Sequence, residues 1–320
     1  MKGAGRMVQN APKKYVIDTH CDVLLKLWMN PQQSFLDSHH LDVTLNRLIA
    51  GGVGVQCFAI FIEPFIKQEL KFQAALEQIR LFHQKVIRPF PQMKHIRSWE
   101  ELNSLKDGEI GAILTLEGMD AVGADEEKHQ ILIEQGVLSV GLTWNDANLC
   151  ADGVEESRGA GITDFGRAVI ERHNQHKLLT DVSHLSIKSF WDTFEAADYV
   201  IASHSNSATI CGHQRNLNDE QAQALFKQNR YMGMVFLPKF LTDKEEAGLT
   251  DVIRHIEYLC SIGGEKSIGF GSDFDGISSY VHELNHPGCY PALIDALSRY
   301  YSDEQIRGFC SENFLRSLPK

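Results

Sequence analysis

Val16-Ile17-Asp18-Thr19-His20-Cys21-Asp22 is the stretch of this 320-residue chain that decides its fold. A short apolar run ends in an imidazole and a carboxylate two residues apart. In extended chain, residues i and i+2 point to the same side, so His20 and Asp22 would face one point at the carboxyl end of a strand. A neutral imidazole nitrogen and a hard carboxylate oxygen together suit a catalytic divalent metal such as zinc. A doubly wound open sheet would normally carry a Gly-rich phosphate loop after its first strand, and His20-Cys21-Asp22 stands there instead. Cys21, pointed away from both neighbours by strand alternation, reads as a packed thiol.

Beyond this stretch, short apolar, β-branched or aromatic runs alternate with longer amphipathic ones. The runs cover residues 15–17, 53–62, 110–116, 138–142, 178–182, 199–202, 231–237 and 267–270. Near-continuous apolar strands are those covered on both faces, as in a parallel sheet under helices. Helical patterns lie between them at 72–86, 165–176, 187–197 and 219–228. Thr163-Asp164 and Asn218-Asp219-Glu220 supply capping or acidic side chains for two of the helix starts. Eight strands in βα alternation over about 255 residues have the size and rhythm of an α/β fold of the (β/α)8 TIM barrel type.

The bulk properties agree. Hydrophobic residues make up 43% and charged residues 23%, an ordinary globular composition. The net charge of −11 argues against nucleic acid or another polyanion as partner. No apolar run approaches the roughly 18 residues of a membrane span, and the first fourteen residues hold four cations and no apolar signal core. The expectation is a cytoplasmic protein without membrane contact, with a loose segment over 1–14 and a single barrel domain over 15–320. Seven scattered cysteines without a CxxC pair fit reduced thiols.

The residues at or just past the carboxyl ends of the runs form a pattern of their own. The first run offers His20 and Asp22, and the third offers Glu117. The fifth leads to His184, the sixth to His204, and the eighth to Asp273 and Asp275. In a barrel these ends converge on the face where such enzymes place their chemistry. Singly, each has a plain reading: a histidine can sit in a loop, Glu117 can open a helix, and Asp273 and Asp275 can shape a turn before Gly276. Together, so many buried carboxylates and imidazoles would be expensive to hold without metal. Three histidines suffice for one ion, so the surplus carboxylates argue for two. Glu117 has two oxygens with which to bridge ions about 3.5–4 Å apart, and a hydroxide held between them would be a nucleophile at neutral pH. The other eleven histidines fall mostly on polar, helical or loop stretches and read as mostly solvated.

These residues resemble the membrane (renal) dipeptidase family of zinc dipeptidases. The family's D-x-H-x-D start appears as Asp18-Thr19-His20-Cys21-Asp22, and its Glu-Gly as Glu117-Gly118. D-x-S-H-x-S runs from Asp181 to Ser186, S-H-S is Ser203-His204-Ser205 with Arg215-Asn216 following, and G-x-D-F-D-G ends at Gly276. Gly161-Ile162-Thr163-Asp164-Phe165-Gly166 and Glu312-Asn313-Phe314-Leu315-Arg316 match further segments, so the resemblance covers about residues 15–316. It implies His20 and Asp22 as ligands of one Zn2+, His184 and His204 as ligands of a second, and Glu117 as the bridge. Asp273 is implied as the acid/base that relays a proton from the bridging water to the leaving amine, and Asp275 as a turn-former. Arg215 is implied as the clamp on the substrate's C-terminal carboxylate, the plainer reading by position alone being a surface arginine near a helix start.

One departure stands out. Mammalian members carry a histidine after the Leu-Thr of the fourth strand, where this chain has Trp144 followed by Asn145. Trp144 supplies shape and an indole N–H but no positive charge, and Asn145 offers a hydrogen bond nearby. Both are expected to contact substrate. The implied activity is hydrolysis of small free dipeptides, extending to those with a C-terminal D-residue, and the family's habit of dimerising leaves a homodimer open. Two alternatives remain at this point. One is another amidohydrolase-like barrel hydrolase (a deaminase, lactonase or phosphotriesterase), though those usually open with HxH. The other is a non-catalytic metal-binding barrel.

Overall fold

In the computed structural model, which describes residues 15–320, nine parallel strands follow one another in chain order. They are β1 (Val16–Asp18), β2 (Val53–Phe61), β3 (Met93–Ile96), β4 (Ile110–Glu117), β5 (Val137–Gly141), β6 (Leu179–Asp181), β7 (Val200–Ala202), β8 (Tyr231–Met234) and β9 (Ile268–Phe270). β1 pairs with both β2 and β9, and β2 pairs with β4, so the sheet closes on itself. The ring is β1-β2-β4-β5-β6-β7-β8-β9, a (β/α)8 barrel. The loose segment expected over 1–14 lies outside the described residues.

β3 is the element the apolar pattern does not reveal. It lies along β4 from Ile110 to Ile113, and from Leu114 onward the same edge of β4 is taken by β5. Met93-Lys94-His95-Ile96 sets two half-buried polar residues between two buried apolar ones, so it carries no continuous apolar run. The eight ring strands do: every residue of β1, β5, β6, β7, β8 and β9 is buried. Helices Gln68–Leu81, Asp164–His176, Ile187–Ala196 and Asp219–Lys227 occupy the expected amphipathic stretches. Thr163 caps the second by accepting Gly166 N–H, and Asn218 forms a capping box with Gln221 at the start of the fourth. Among the described residues no helix is long and apolar enough to cross a membrane.

Two expectations need correction. Regular pairing of β1 stops at Asp18, so His20 and Asp22 sit in the segment beyond the strand, with Asp22 preceding the helix Val23–Met29. That segment is nonetheless tethered on both sides: Ala59 N–H donates to Cys21 O at 2.9 Å, and Asp22 N–H to Phe274 O at 2.9 Å. The Cys21 thiol points inward toward Cys57 O, 3.2 Å away, as alternation requires. The second correction concerns the histidines read as mostly solvated. His129, His173 and His255 are buried, each on the inner face of a helix. His173 Nδ1 meets Thr180 Oγ1 at 2.9 Å, and His255 lies between Ser207 N–H and Leu241 O. A hydrogen-bonded imidazole is tolerated in a core that a charged one would disrupt.

Candidate metal centre

His20, Asp22, Glu117, His184, His204 and Asp273 come from five different segments and meet at the carboxyl ends of the strands. His20 Nε2 lies 3.4 Å from Asp22 Oδ2, 3.7 Å from Glu117 Oε2 and 3.9 Å from Asp273 Oδ1. The opposite oxygen of Glu117, Oε1, lies 2.8 Å from His184 Nε2 and 3.6 Å from His204 Nε2. The two Nε2 atoms are themselves 2.8 Å apart. One carboxylate therefore faces His20 with one oxygen and the two remaining histidines with the other. His20, Glu117 and His204 form one group whose donor atoms converge as metal ligands do, and His20, Asp22 and Asp273 form another.

Backbone conformation places these groups. Glu117 ends β4, and Gly118 follows at φ 88°, turning the chain sharply while Trp144 N sits 3.3 Å from where a Cβ would be. His184 and Asp273 adopt left-handed conformations, with φ of 71° and 66°. Histidine and aspartate tolerate this better than most residues, and such strain gathers at functional sites. Gly276 is required by proximity: a Cβ there would run into Asp22 Oδ2 and Asp273 Oδ1.

A second layer holds the ligand candidates. His184 Nδ1–H donates to Asn145 Oδ1 at 2.7 Å. His204 Nδ1 is 2.7 Å from Ser203 Oγ, whose hydroxyl bonds the Asp181 carboxylate, which in turn accepts the N–H groups of Ser183 and Ser203. Asp18 accepts Ser272 N–H and Oγ–H at 2.9 and 2.7 Å, which pins the segment of His20 to that of Asp273. With Nδ1 engaged, each Nε2 points its lone pair into the centre. Asp18, Asp181, Ser203 and Ser272 had no role in the sequence reading. Their signal was there, since Asp18 and Asp181 open the very motifs that carry the histidines. Asn145 was expected on the substrate; it lines the cleft, and its amide oxygen serves His184.

The electrostatics call for a cation. Burial raises Glu117 well above the usual carboxylate range. Burial, reinforced by Asp22, pushes Asp273 up to about 7. Burial would lower the His20 imidazole, but the Glu117 and Asp22 carboxylates outweigh it and push it up to about 10. His184 and His204 are held neutral, well below the ordinary range, first by burial and then by neighbouring cations. His20 Nε2 and Asp22 Oδ1 are buried without a hydrogen-bond partner. The neutral imidazoles of His184 and His204, the clustered carboxylates, whose negative charge holds a proton on His20, and the unpartnered ligand atoms fit divalent metal ions of the zinc type.

A cleft of about 370 Å3 opens over this centre. Trp144 forms part of its wall, with its ring centroid 5.2 Å from Phe61 and 6.0 Å from His184. Arg215 is 4% exposed, far from the surface position its sequence context allowed. Its Nη2 lies 3.2 Å from His184 Nε2, Phe240 lies under the guanidinium, and among the described residues no carboxylate pairs with it. Asp275 turns its oxygens to the N–H groups of Asp42 and Val43, which they accept at 2.8 and 2.9 Å, tying the loop after β9 to the segment ahead of the helix Leu45–Ala50.

The profile of the membrane dipeptidase family (peptidase family M19) matches residues 6–320. The chain belongs to the membrane dipeptidase family. Its curated relatives include a dipeptidase, aclJ, of Aspergillus oryzae, 30% identical over 305 residues that span 89% of this chain and 72% of that protein. An uncharacterised protein encoded in the pqqA 5′ region of Klebsiella pneumoniae is 31% identical over 242 residues, 72% of this chain and 89% of its own. Among solved structures, a metallopeptidase of Rhodobacter sphaeroides bound to a phosphinate mimic of the dipeptide L-Ala-D-Ala superposes with a TM-score of 0.89. It is 26% identical, and the match covers 95% of this chain and 98% of that one.

Proposed function

We propose that this member of the membrane dipeptidase family is a two-zinc dipeptidase that hydrolyses the peptide bond of small free dipeptides. The observation that carries the reading is Glu117, one oxygen of which faces His20, itself beside Asp22, while the other faces His184 and His204. His20 and Asp22 would hold one Zn2+, His184 and His204 the other, with Glu117 shared between them. Bound zinc supplies Lewis acidity, which lowers the pKa of water and polarises a carbonyl.

The chain's own groups do the rest. Asp273, beside His20 and raised toward neutrality, takes a proton from the attacking water at Oδ1 and returns it to the leaving nitrogen. Arg215, buried and without a carboxylate partner, receives the C-terminal carboxylate of the substrate, for which its planar fork is suited. Asn145 and Ser203 fix the tautomers of His184 and His204. Phe61 and Trp144 supply an apolar wall; the indole takes the place of the histidine of mammalian members, so charge in the transition state must be met by other groups. The L-Ala-D-Ala mimic bound by the Rhodobacter sphaeroides relative supports a dipeptide as substrate, including one with a C-terminal D-residue.

The test is a panel of free dipeptides given to the purified protein after chelator treatment and again after zinc loading, with metal quantified. Cleavage restored by zinc at two ions per chain is expected. A metal-free protein of undiminished activity would overturn the reading.

A further inference from the structure

Four of the carboxylates that line the cleft have tasks: Asp22 and Glu117 with the metals, Asp273 with the proton, and Asp275 with the N–H groups of Asp42 and Val43. The fifth is Glu63. It lines the same cleft, is half-buried, and among the described residues its side chain makes no hydrogen bond or ion pair. Its position in the barrel is informative. Phe61, two residues earlier, is the register partner of Glu117 across β2 and β4, so Glu63 stands on the rim just beyond the level of the shared carboxylate. In the ring β1-β2-β4-β5-β6-β7-β8-β9, the strand that leads to Glu63 is the second and the strand that leads to Arg215 is the sixth. In an eight-membered ring those positions are diametrically opposite. An unpaired anion and a cation without a carboxylate partner thus line one cleft on loops that leave opposite sides of the ring, with the Phe61–Trp144 wall leading toward His184 and Arg215.

We infer that Glu63 is the binding residue for the free α-ammonium group of the substrate, opposite Arg215 at its carboxylate. The inference rests on the dipeptidase reading and deepens it. A free dipeptide is a zwitterion below the α-amino pKa of about 8. Drawing its ammonium into a cleft demands an acceptor, and a carboxylate left without a protein partner is the appropriate one. The same pairing makes the site selective for free dipeptides, because an acylated amine brings no charge and leaves Glu63 unpaired.

The zinc-loaded wild type and Glu63→Gln are compared on a free dipeptide and its N-acetyl derivative, with the derivative measured as a competitive inhibitor where it is not cleaved. The amide is nearly isosteric, and zinc content and far-ultraviolet dichroism confirm an intact fold. Glu63→Gln is expected to raise KM for the free dipeptide about tenfold to a hundredfold, the range lost with a charge-assisted hydrogen bond, while the constant for the N-acetyl compound stays unchanged. In the wild type KM should rise as pH passes about 8 and the ammonium deprotonates; in Glu63→Gln that rise should disappear. Equal effects on both compounds, or none on either, would overturn the assignment while the dipeptidase reading stands. A wild type inert on every free dipeptide would overturn both.

Discussion

Glu117 Oε1 lies 2.8 Å from His184 Nε2, while the other oxygen of the same carboxylate turns toward His20. This one side chain joins the two halves of the centre. If it is shared between two ions, its charge and both its oxygens are needed, and the amide of glutamine supplies neither in full. Glu117→Gln should reduce bound zinc from two ions per chain to one or fewer. It should also lower kcat/KM by about a thousandfold, in line with the several kcal/mol that metal ions contribute to such transition states. Metal analysis beside steady-state kinetics checks this; two ions and a wild-type rate would remove Glu117 from the bridge.

Asn145 and Ser203 each engage the Nδ1 of a ligand candidate, so their truncation should be felt at the metal before it is felt at the substrate. Asn145→Ala and Ser203→Ala are expected to weaken zinc binding about tenfold to a hundredfold, measured by competition with a chromophoric chelator. At saturating zinc their KM should change little. An Asn145→Ala enzyme with full zinc affinity and a raised KM would place Asn145 on the substrate rather than behind His184.

Much of this centre was legible before any coordinates because ligand chemistry and strand ends coincide. Glu117 ends, and His204 and Asp273 follow, strands whose apolar runs mark their own boundaries, and a barrel brings all such ends to one face. What the pattern does not carry is what depends on pairing in space. β3 is too short and too polar to show as a run, and it shares an edge of β4 that the alternation of strands and helices assigns wholly to β5. The burial of His129, His173 and His255 is likewise invisible, because an imidazole on a polar helix looks solvated until its partners Thr180, Ser207 and Leu241 are placed. Arg215 shows the same ambiguity: nothing in its local sequence tells a surface arginine from one that is 4% exposed.

Arg215 separates charge from shape. Arg215→Lys keeps the cation but loses the planar fork, and KM for a free dipeptide should rise roughly tenfold or more, the scale of a lost charge-assisted hydrogen bond. Zinc content should not change. A dipeptide amide, which has no terminal carboxylate, should be bound equally by both enzymes. Loss of the same factor on the amide would mean that Arg215 acts through His184, to which it lies 3.2 Å away, and not on the substrate carboxylate.

His255 makes stability depend on pH away from the metal centre. It is fully buried, accepts Ser207 N–H at Nδ1 and meets Leu241 O through Nε2 at 3.0 Å, an arrangement that requires the neutral ring with its proton on Nε2. Burial lowers it to about 4, against an ordinary value near 6.5 in the unfolded chain. Between those values the unfolded chain binds a proton that the folded chain refuses, so stability falls as pH drops from about 6.5 toward 4 and levels off below. Over pH 7 to 5 the loss from this one residue is about 2 kcal/mol. His129, also lowered to about 4 by burial, adds in the same direction. Urea denaturation of wild type and His255→Gln at both pH values isolates the contribution, since protonation at the metal ligands is common to the two proteins. The variant should be less stable at pH 7 and should lose about 2 kcal/mol less than wild type on going to pH 5. Equal losses would show that His255 is already protonated in the folded protein, contrary to its hydrogen bond from Ser207.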